Sequence, residues 1–489
     1  MLVFSTYLKK ETMKEVKQFF SSQIKSMCLL FTIVVGGILT LSSCSPPCGE
    51  ANYLGTVEEC EVTADTTSSG GGSGGSSGGS NLLTPEGLTD SSRLSVGGIK
   101  NGYVLDNGSV VTWGRGVYFP EDFYTVDNLT NARQISVFAM NNSSVVACAV
   151  KNDHTTVCWG NNRYGELGNG GPTGGSASCG NSSSATTAET ACAVPIFDDN
   201  SAQGNINRVA VGYYFSLWLD NKGKVYSAGK CENGVLGTGC TDNQTTAVTV
   251  MTGVKDIKVH PRNQIACAHK IDNTLHCWGE NNANEITSAH ANDIETPLEI
   301  ATNVAHFGVF GASHSTPKGT IGFVYDNGTI SCTTGWFSLS STTSTCQDEY
   351  SGITNVKQIS GDRNVNMLVL DNGSTLAYGL NQYGTMAHGS GNSPQRNITA
   401  AGSIFADGTP ANNVSYIAGG SFDSGMSHIL GILDNGSVVG VGSNNYYQIV
   451  PTNRMSSTIC AWQGAVAAIT QDAQKCDRWA ILPIGPSGW

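Results

Sequence analysis

Residues 147–170 read ACAVKNDHTTVCWGNNRYGELGNG. An apolar run leads to a polar turn at Asn152-Asp153-His154, and a second run ends in Trp159-Gly160 before a glycine-rich loop. Cys148 and Cys158 stand equidistant from Asp153. In a hairpin centred there they face each other and leave the sheet on the same side. The arrangement recurs at residues 266–280, ACAHKIDNTLHCWGE, with Cys267 and Cys277 equidistant from Asp272. A local accident does not repeat so closely, so the chain reads as an array of related hairpins.

Working outward, the same turn returns along the chain. Asp-Asn-Gly occurs at residues 106–108, 326–328, 371–373 and 434–436, with a looser Asp220-Asn221-Lys222-Gly223 between them. Asn-Gly between apolar runs is a strong hairpin signal, because the tight turn needs positive φ at its centre. Each turn supplies a single carboxylate, which fits a plain turn better than a calcium loop. Upstream of each turn a β-branched pair opens the unit: Asn131-Ala-Arg-Gln-Ile135, Asn205-Ile-Asn-Arg-Val209, Gly253-Val-Lys-Asp-Ile257, Asn303-Val-Ala-His-Phe307, Asn355-Val-Lys-Gln-Ile359 and Asn413-Val-Ser-Tyr-Ile417. Leu94-Ser95-Val96 fits the slot of a first unit. The last five starts fall 48, 50, 52 and 58 residues apart. Seven units of about 50 residues, each with several short strands, predict an all-β, seven-bladed propeller.

Charge and cysteine usage narrow the setting. The net charge is −12, and residues 1–43 hold five Lys against two Glu, so the body is more acidic still, at −15. Such a body offers no footprint for nucleic acid. Fourteen of the sixteen cysteines fall into local pairs: Cys48/Cys60, Cys148/Cys158, Cys179/Cys192, Cys231/Cys240, Cys267/Cys277, Cys332/Cys346 and Cys460/Cys476. Local even pairing predicts disulfides in an oxidising compartment. Cys-x-x-Cys knuckles are missing, so no metal site and no cofactor is expected.

The N-terminal segment agrees with export. Residues 27–41 carry no charge and follow Lys9, Lys10, Lys14, Lys17 and Lys25. That is a secretory n-region and h-region, too short for a confident membrane span. It ends in Leu41-Ser42-Ser43-Cys44, which resembles the lipobox of bacterial lipoproteins, whose cysteine becomes the lipidated first residue. The expected division is a signal peptide over 1–43, a lipid-anchored tether over 44–92 and a propeller with a C-terminal closing segment over 93–489. Residues 68–80 are almost pure Gly and Ser, a flexible coil that bridges roughly 25 Å together with its flanks. Attachment to the outer membrane or cell surface would then run through the lipid alone.

Trp159-Gly160-Asn161-Asn162-Arg163-Tyr164-Gly165-Glu166-Leu167-Gly168 resembles the signature of the regulator of chromosome condensation (RCC1-type) repeat, W-G-x-N-x-x-G-Q-L-G. Weaker echoes lie at residues 229–237, 379–384 and 442–445, and Trp113-Gly114 and Trp278-Gly279 match at the strand end. The resemblance spans roughly residues 93–451 and implies a seven-bladed β-propeller with four strands per blade. Units one and five lack the Asn-x-x-Gly-x-Leu-Gly tail. Members act through propeller faces as exchange factors, chromatin binders or secreted inhibitors; the first two need an intracellular setting that this chain does not suggest. Trp113, Trp159 and Trp278, with Tyr378 in register, recur at one strand position and are expected to pack between blades.

In a four-stranded blade the first and third connections share one face. That face carries the insertions, at residues 171–193, 231–240 and 335–346. Its first connections offer Tyr213, Tyr214, Phe215, His260, Arg262, His314, Asp362, Arg363, Phe422 and Asp423 as binding-face candidates. Long loops on a rigid ring are where binding usually resides. A ring also needs closing, and residues 479–484 or the segment near Leu82-Leu83 are candidates for a closing strand. No catalytic constellation emerges; His-Glu-x-x-His is missing. The reading is a monomeric, exported, lipid-anchored propeller that binds a protein or other cell-surface macromolecule. The alternative is a surface enzyme acting on polysaccharide or cell wall, for which paired carboxylates of raised pKa in the central funnel would be the mark.

Overall fold

The computed structural model describes residues 92–114, 123–139, 145–170, 205–260, 262–311, 319–333, 350, 352–362, 365–379, 384–387, 409–420, 427–444, 448–449, 475–482 and 484. All described residues lie within Ser80–Trp489, which forms one compact unit. The expected signal peptide, Cys44 and the tether to residue 91 fall outside them.

Ser80–Trp489 holds seven antiparallel sheets, four of four strands and three of three described strands. Every sheet is a meander, and the first strands are Leu94–Val96, Ala132–Ala139, Ile206–Gly212, Val254–Val259, Val304–Gly311, Val356–Gly361 and Val414–Gly420. Each first strand touches the first strand of the next sheet, and the seventh touches the first. The sheets therefore stand as blades around a closed ring, with the first strands innermost. Apolar clusters fill the seams between blades: Leu94, Trp113, Leu430 and Leu482 close blade 7 onto blade 1, and Cys148, Leu167, Val209 and Trp218 join blades 2 and 3. A blade buries both faces only because it has a neighbour on each side.

The two sequence signals recur together for a physical reason. Five of the seven units open on a residue in the left-handed region, Asn131, Asn205, Gly253, Asn303 and Asn355, with φ of 58, 83, 76, 55 and 61°. Asn and Gly tolerate that conformation best. From there the backbone interlocks with two turns. The Gly108 carbonyl of the preceding turn accepts from Ala132 N at 2.9 Å, and the Asn131 carbonyl accepts from Asn152 N of its own turn at 2.8 Å. One residue later six inner strands shift register, for example between Ala132 and Gln134 and between Val254 and Asp256. A bulge re-aims the residue after it. Gln134 is thereby turned onto blade 3, where it donates to the Val209 carbonyl and accepts from Val209 N, both at 2.9 Å. Gln358 grips Ile417 of blade 7 in the same way.

The repeat signature also serves the seams. Asn162 Oδ1 accepts from Leu167 N, Asn281 Oδ1 from Ile286 N and Asn444 Oδ1 from Ile449 N, so each Asn folds its own loop. In two seams, blade 3 to 4 and blade 7 to 1, a tryptophan of the next blade caps the loop. Trp278 Nε1 donates to Val235 O at 2.8 Å, and Trp113 Nε1 to Gln448 O at 2.8 Å. Gly234 has φ +70°, and a Cβ there would lie 2.5 Å from Ile294 O. Trp159 follows blade 1, which lacks the loop; it is buried without such a bond among the described residues. The interblade packing expected of these tryptophans is what the structure has.

The C-terminal tail supplies the outer strand of the last blade. Lys475–Ile481 pairs with Val438–Ser443 as the fourth strand of blade 7. Blades are radial sheets joined by side chains, so the ring closes without a shared strand. Its clasp is polar and buried: Asn101 Nδ2 donates to Gln448 O at 2.7 Å, and His428 Nε2 lies 3.2 Å from Asn101 Oδ1. Leu82 and Leu83 fall outside the described residues.

Candidate interaction site on the loop-bearing face

Three disulfides stand within hairpins or loops, Cys148–Cys158, Cys231–Cys240 and Cys267–Cys277. The first and third join directly paired residues of adjacent strands. Cys332 and Cys476 are disulfide-bonded as well. Cys48, Cys60, Cys179, Cys192, Cys346 and Cys460 lie outside the described residues.

The binding-face candidates separate by burial. Phe215 is 0% exposed and packs in the core between blades 3 and 4, so it serves the seam and not the surface. His260 and Asp362 are 3% and 0% exposed. Both fasten first-connection turns: His260 Nδ1 accepts from Arg262 N and Asn263 N, and Asp362 Oδ1 from Val365 N. Burial pushes the His260 pKa down to about 3, so the ring stays a neutral acceptor. Arg262 is half-buried, and its charge acts on Glu280 in the third connection of the same blade. His314, Arg363, Phe422 and Asp423 lie outside the described residues.

Tyr213 and Tyr214 behave differently. Both are half-buried, and their rings stack with centroids 4.0 Å apart. Tyr164, from the signature loop of blade 2, meets Tyr214 edge-on at 4.8 Å, and Phe138 lies 5.7 Å from Tyr213. The Lys230 ammonium sits 5.0 Å from the Tyr164 ring centroid and 5.6 Å from that of Tyr214, and pairs with Glu232. The Arg163 guanidinium lies 5.3 Å from the Tyr164 ring centroid. Burial and the Tyr214 hydroxyl raise the Tyr213 pKa, so that phenol remains a donor.

The patch is rigid. Cys231–Cys240 closes the loop behind Lys230 and Glu232. Gln264 of blade 4 accepts from Asn233 Nδ2 at 2.8 Å and donates to Tyr213 O at 3.4 Å. Tyr214 has φ +68°; apart from His154 and Ala387, the other non-glycine residues at positive φ are Asn. Holding a bulky residue there costs of order 1 kcal/mol or more and persists only where surrounding structure enforces it, a situation concentrated at functional sites. Here Lys230 N donates to Tyr214 O at 2.8 Å and helps to enforce it. Tyr164, Lys230 and Phe138 escaped the sequence reading because Tyr164 sits inside a loop read as structural. The available signal was topological: the third connection of one blade adjoins the first connection of the next.

Carboxylates of raised pKa do occur. Glu166 is 0% exposed and is pushed up to about 7 by burial. Glu280 is raised by burial and by Glu285. Both stand in third connections, of blades 2 and 4. The inner strands hold one carboxylate, Asp256, ion-paired to Arg208 at 3.3 Å. Among the described residues no cluster of His, Cys, Asp and Glu could hold a metal ion, and no helix is long and apolar enough to cross a membrane.

No family model matches the chain. The E3 ubiquitin-protein ligase HERC2 of Mus musculus and that of Homo sapiens are each 26% identical over 219 residues, 42% of this chain. The chain spans only 4% of those relatives' length. Among solved structures, yeast RCC1 (Prp20) bound to Kap60 aligns over 79% of this chain and 74% of its own, with a TM-score of 0.40 and 15% identity. Human WBSCR16 aligns over 73% and 77%, with a TM-score of 0.38 and 16% identity. The seven closed blades and the signature at their seams make the fold an RCC1-like seven-bladed β-propeller.

Proposed function

We propose that the protein is an exported, lipid-anchored propeller that binds a protein or other macromolecular partner through the loop-bearing face at blades 2 and 3, without catalysing a reaction. The observation that carries the reading is the cluster of Tyr164, Tyr213 and Tyr214 with Lys230 and Arg163 at its edges. Tyrosine and arginine are enriched at interface cores, and a few such residues carry most binding energy. Rings already fixed by stacking lose little freedom on association. Lipid anchoring is supported by the h-region followed by Leu41-Ser42-Ser43-Cys44, and export also by the disulfides.

The test uses envelope and medium of the producing cell, with capture read by mass spectrometry. Wild type should retain a partner that a Tyr164→Ala/Tyr214→Ala variant loses. Ile271→Asp, on the opposite face, should retain it. Equal capture by the tyrosine variant refutes the assignment of the face. In parallel, Cys44→Ala should abolish incorporation of radiolabelled palmitate; a labelled variant refutes the anchor.

A further inference from the structure

The inner strands carry charge opposite to that of the chain. They contribute Arg133, Arg208, Lys255, Lys258 and Lys357 against the single carboxylate of Asp256, whereas the whole chain is −12. Two of these cations are turned toward the tight-turn face. Arg133 donates to Ile206 O and Asn207 O, and Lys255 to Asn273 Oδ1. Arg208 and Lys258 occupy the interior. Arg208 stands at the bulge position that Gln134 and Gln358 fill in blades 2 and 6. Those glutamines bind the next blade through both polar atoms. Arg208 instead reaches Asp256 through Nε, at 3.3 Å, with its side chain 25% exposed. Its terminal amino groups have no partner among the described residues. Lys258 donates to Phe307 O at 2.6 Å and lies 4.7 Å from the Phe307 ring, with two further N–H groups unused.

The electrostatics agree with this placement. Burial holds the Lys258 ammonium below its usual range, with Arg208 adding to the effect and Asp256 opposing it. Arg133 is lowered by burial and again by Arg208. Arg208 and Lys258 thus share one carboxylate.

We infer that Arg208 and Lys258 form a seat inside the ring for a small oxyanion, a carboxylate or a phosphate. The guanidinium fork matches two oxygens of either, and a site with few other partners strengthens the bond. The anion would relieve the mutual repulsion of the cations. Asp256 is already engaged with Arg208 and with Ile257 N, so it does not itself fill the seat.

The experiment is calorimetric titration of the full chain with inorganic phosphate and, separately, acetate, with ionic strength matched by sodium chloride. Wild type should bind at least one anion above the chloride control, and the two arms tell phosphate from carboxylate. Arg208→Gln should weaken binding about tenfold or more, the loss expected for a charge-assisted hydrogen bond. It should keep the fold, because Gln serves that position in two other blades. Lys258→Met, which retains an apolar stem on Phe307, should weaken it similarly. No binding by wild type, or equal binding by both variants with their unfolding temperatures intact, overturns the inference.

Discussion

Replacing Glu166 by Gln should remove a pH dependence that the wild-type fold carries between pH 4.5 and 7. Glu166 is fully buried, with Oε2 accepting from Tyr164 N at 2.7 Å and Oε1 without a partner. Burial raises its pKa from 4.5 to about 7, against backbone N–H groups that pull it down. In the unfolded chain the carboxyl ionises near 4.5, while in the fold it keeps its proton until about 7. Folding therefore retains a proton across that window, and stability must fall as pH rises through it. At 1.36 kcal/mol per unit the loss is about 3 kcal/mol, complete above pH 7. Gln is the residue of the RCC1-type signature here, and Gln448 fills the place in blade 7. The assay is urea unfolding of both proteins at pH 4.5, 6 and 8 without reductant. The wild type should lose stability over the series relative to Glu166→Gln by about that amount. The amide shifts the variant's absolute stability, but it cannot restore a titration. Parallel pH profiles for the two proteins would falsify the reasoning.

Trp278→Phe should cost about 1–3 kcal/mol in urea unfolding, because it strands the Val235 carbonyl that Trp278 Nε1 satisfies. Trp159→Phe should cost clearly less, since no such bond is lost, and equal costs would refute the capping role. Gln358→Ala removes both hydrogen bonds to Ile417 and leaves that backbone pair unsatisfied, with an expected loss of about 2 kcal/mol by thermal or urea unfolding. Removing the bridge as Cys267→Ala/Cys277→Ala should lower stability by about 2–3 kcal/mol on the chain-entropy estimate. Reductant should then shift the unfolding midpoint less in that variant than in wild type.

The turns, the strand starts and the hairpin cysteines were legible in the sequence because each is a local requirement. A tight turn favours Gly or Asn at positive φ, with His154 filling that place in blade 2, and a cross-strand disulfide needs equal spacing from the turn. Asp153 and Asp272 sit midway between their cysteines, and those cysteines are paired in register. The count of seven units followed from these repeats alone, and with it the fold class. What escaped was every property that depends on two blades at once. Phe215, His260 and Asp362 looked like loop residues, yet neighbouring blades and their own turns cover them. Tyr164 looked like one more residue of a structural loop, yet the next blade sets it against Tyr213 and Tyr214. The clasp of Asn101, His428 and Gln448 joins residues more than 300 positions apart. Chain order fixes what a residue's own turn and strand demand. Which side chains meet across a seam is decided only when the ring closes, because burial and contact there belong to pairs of blades and not to either sequence.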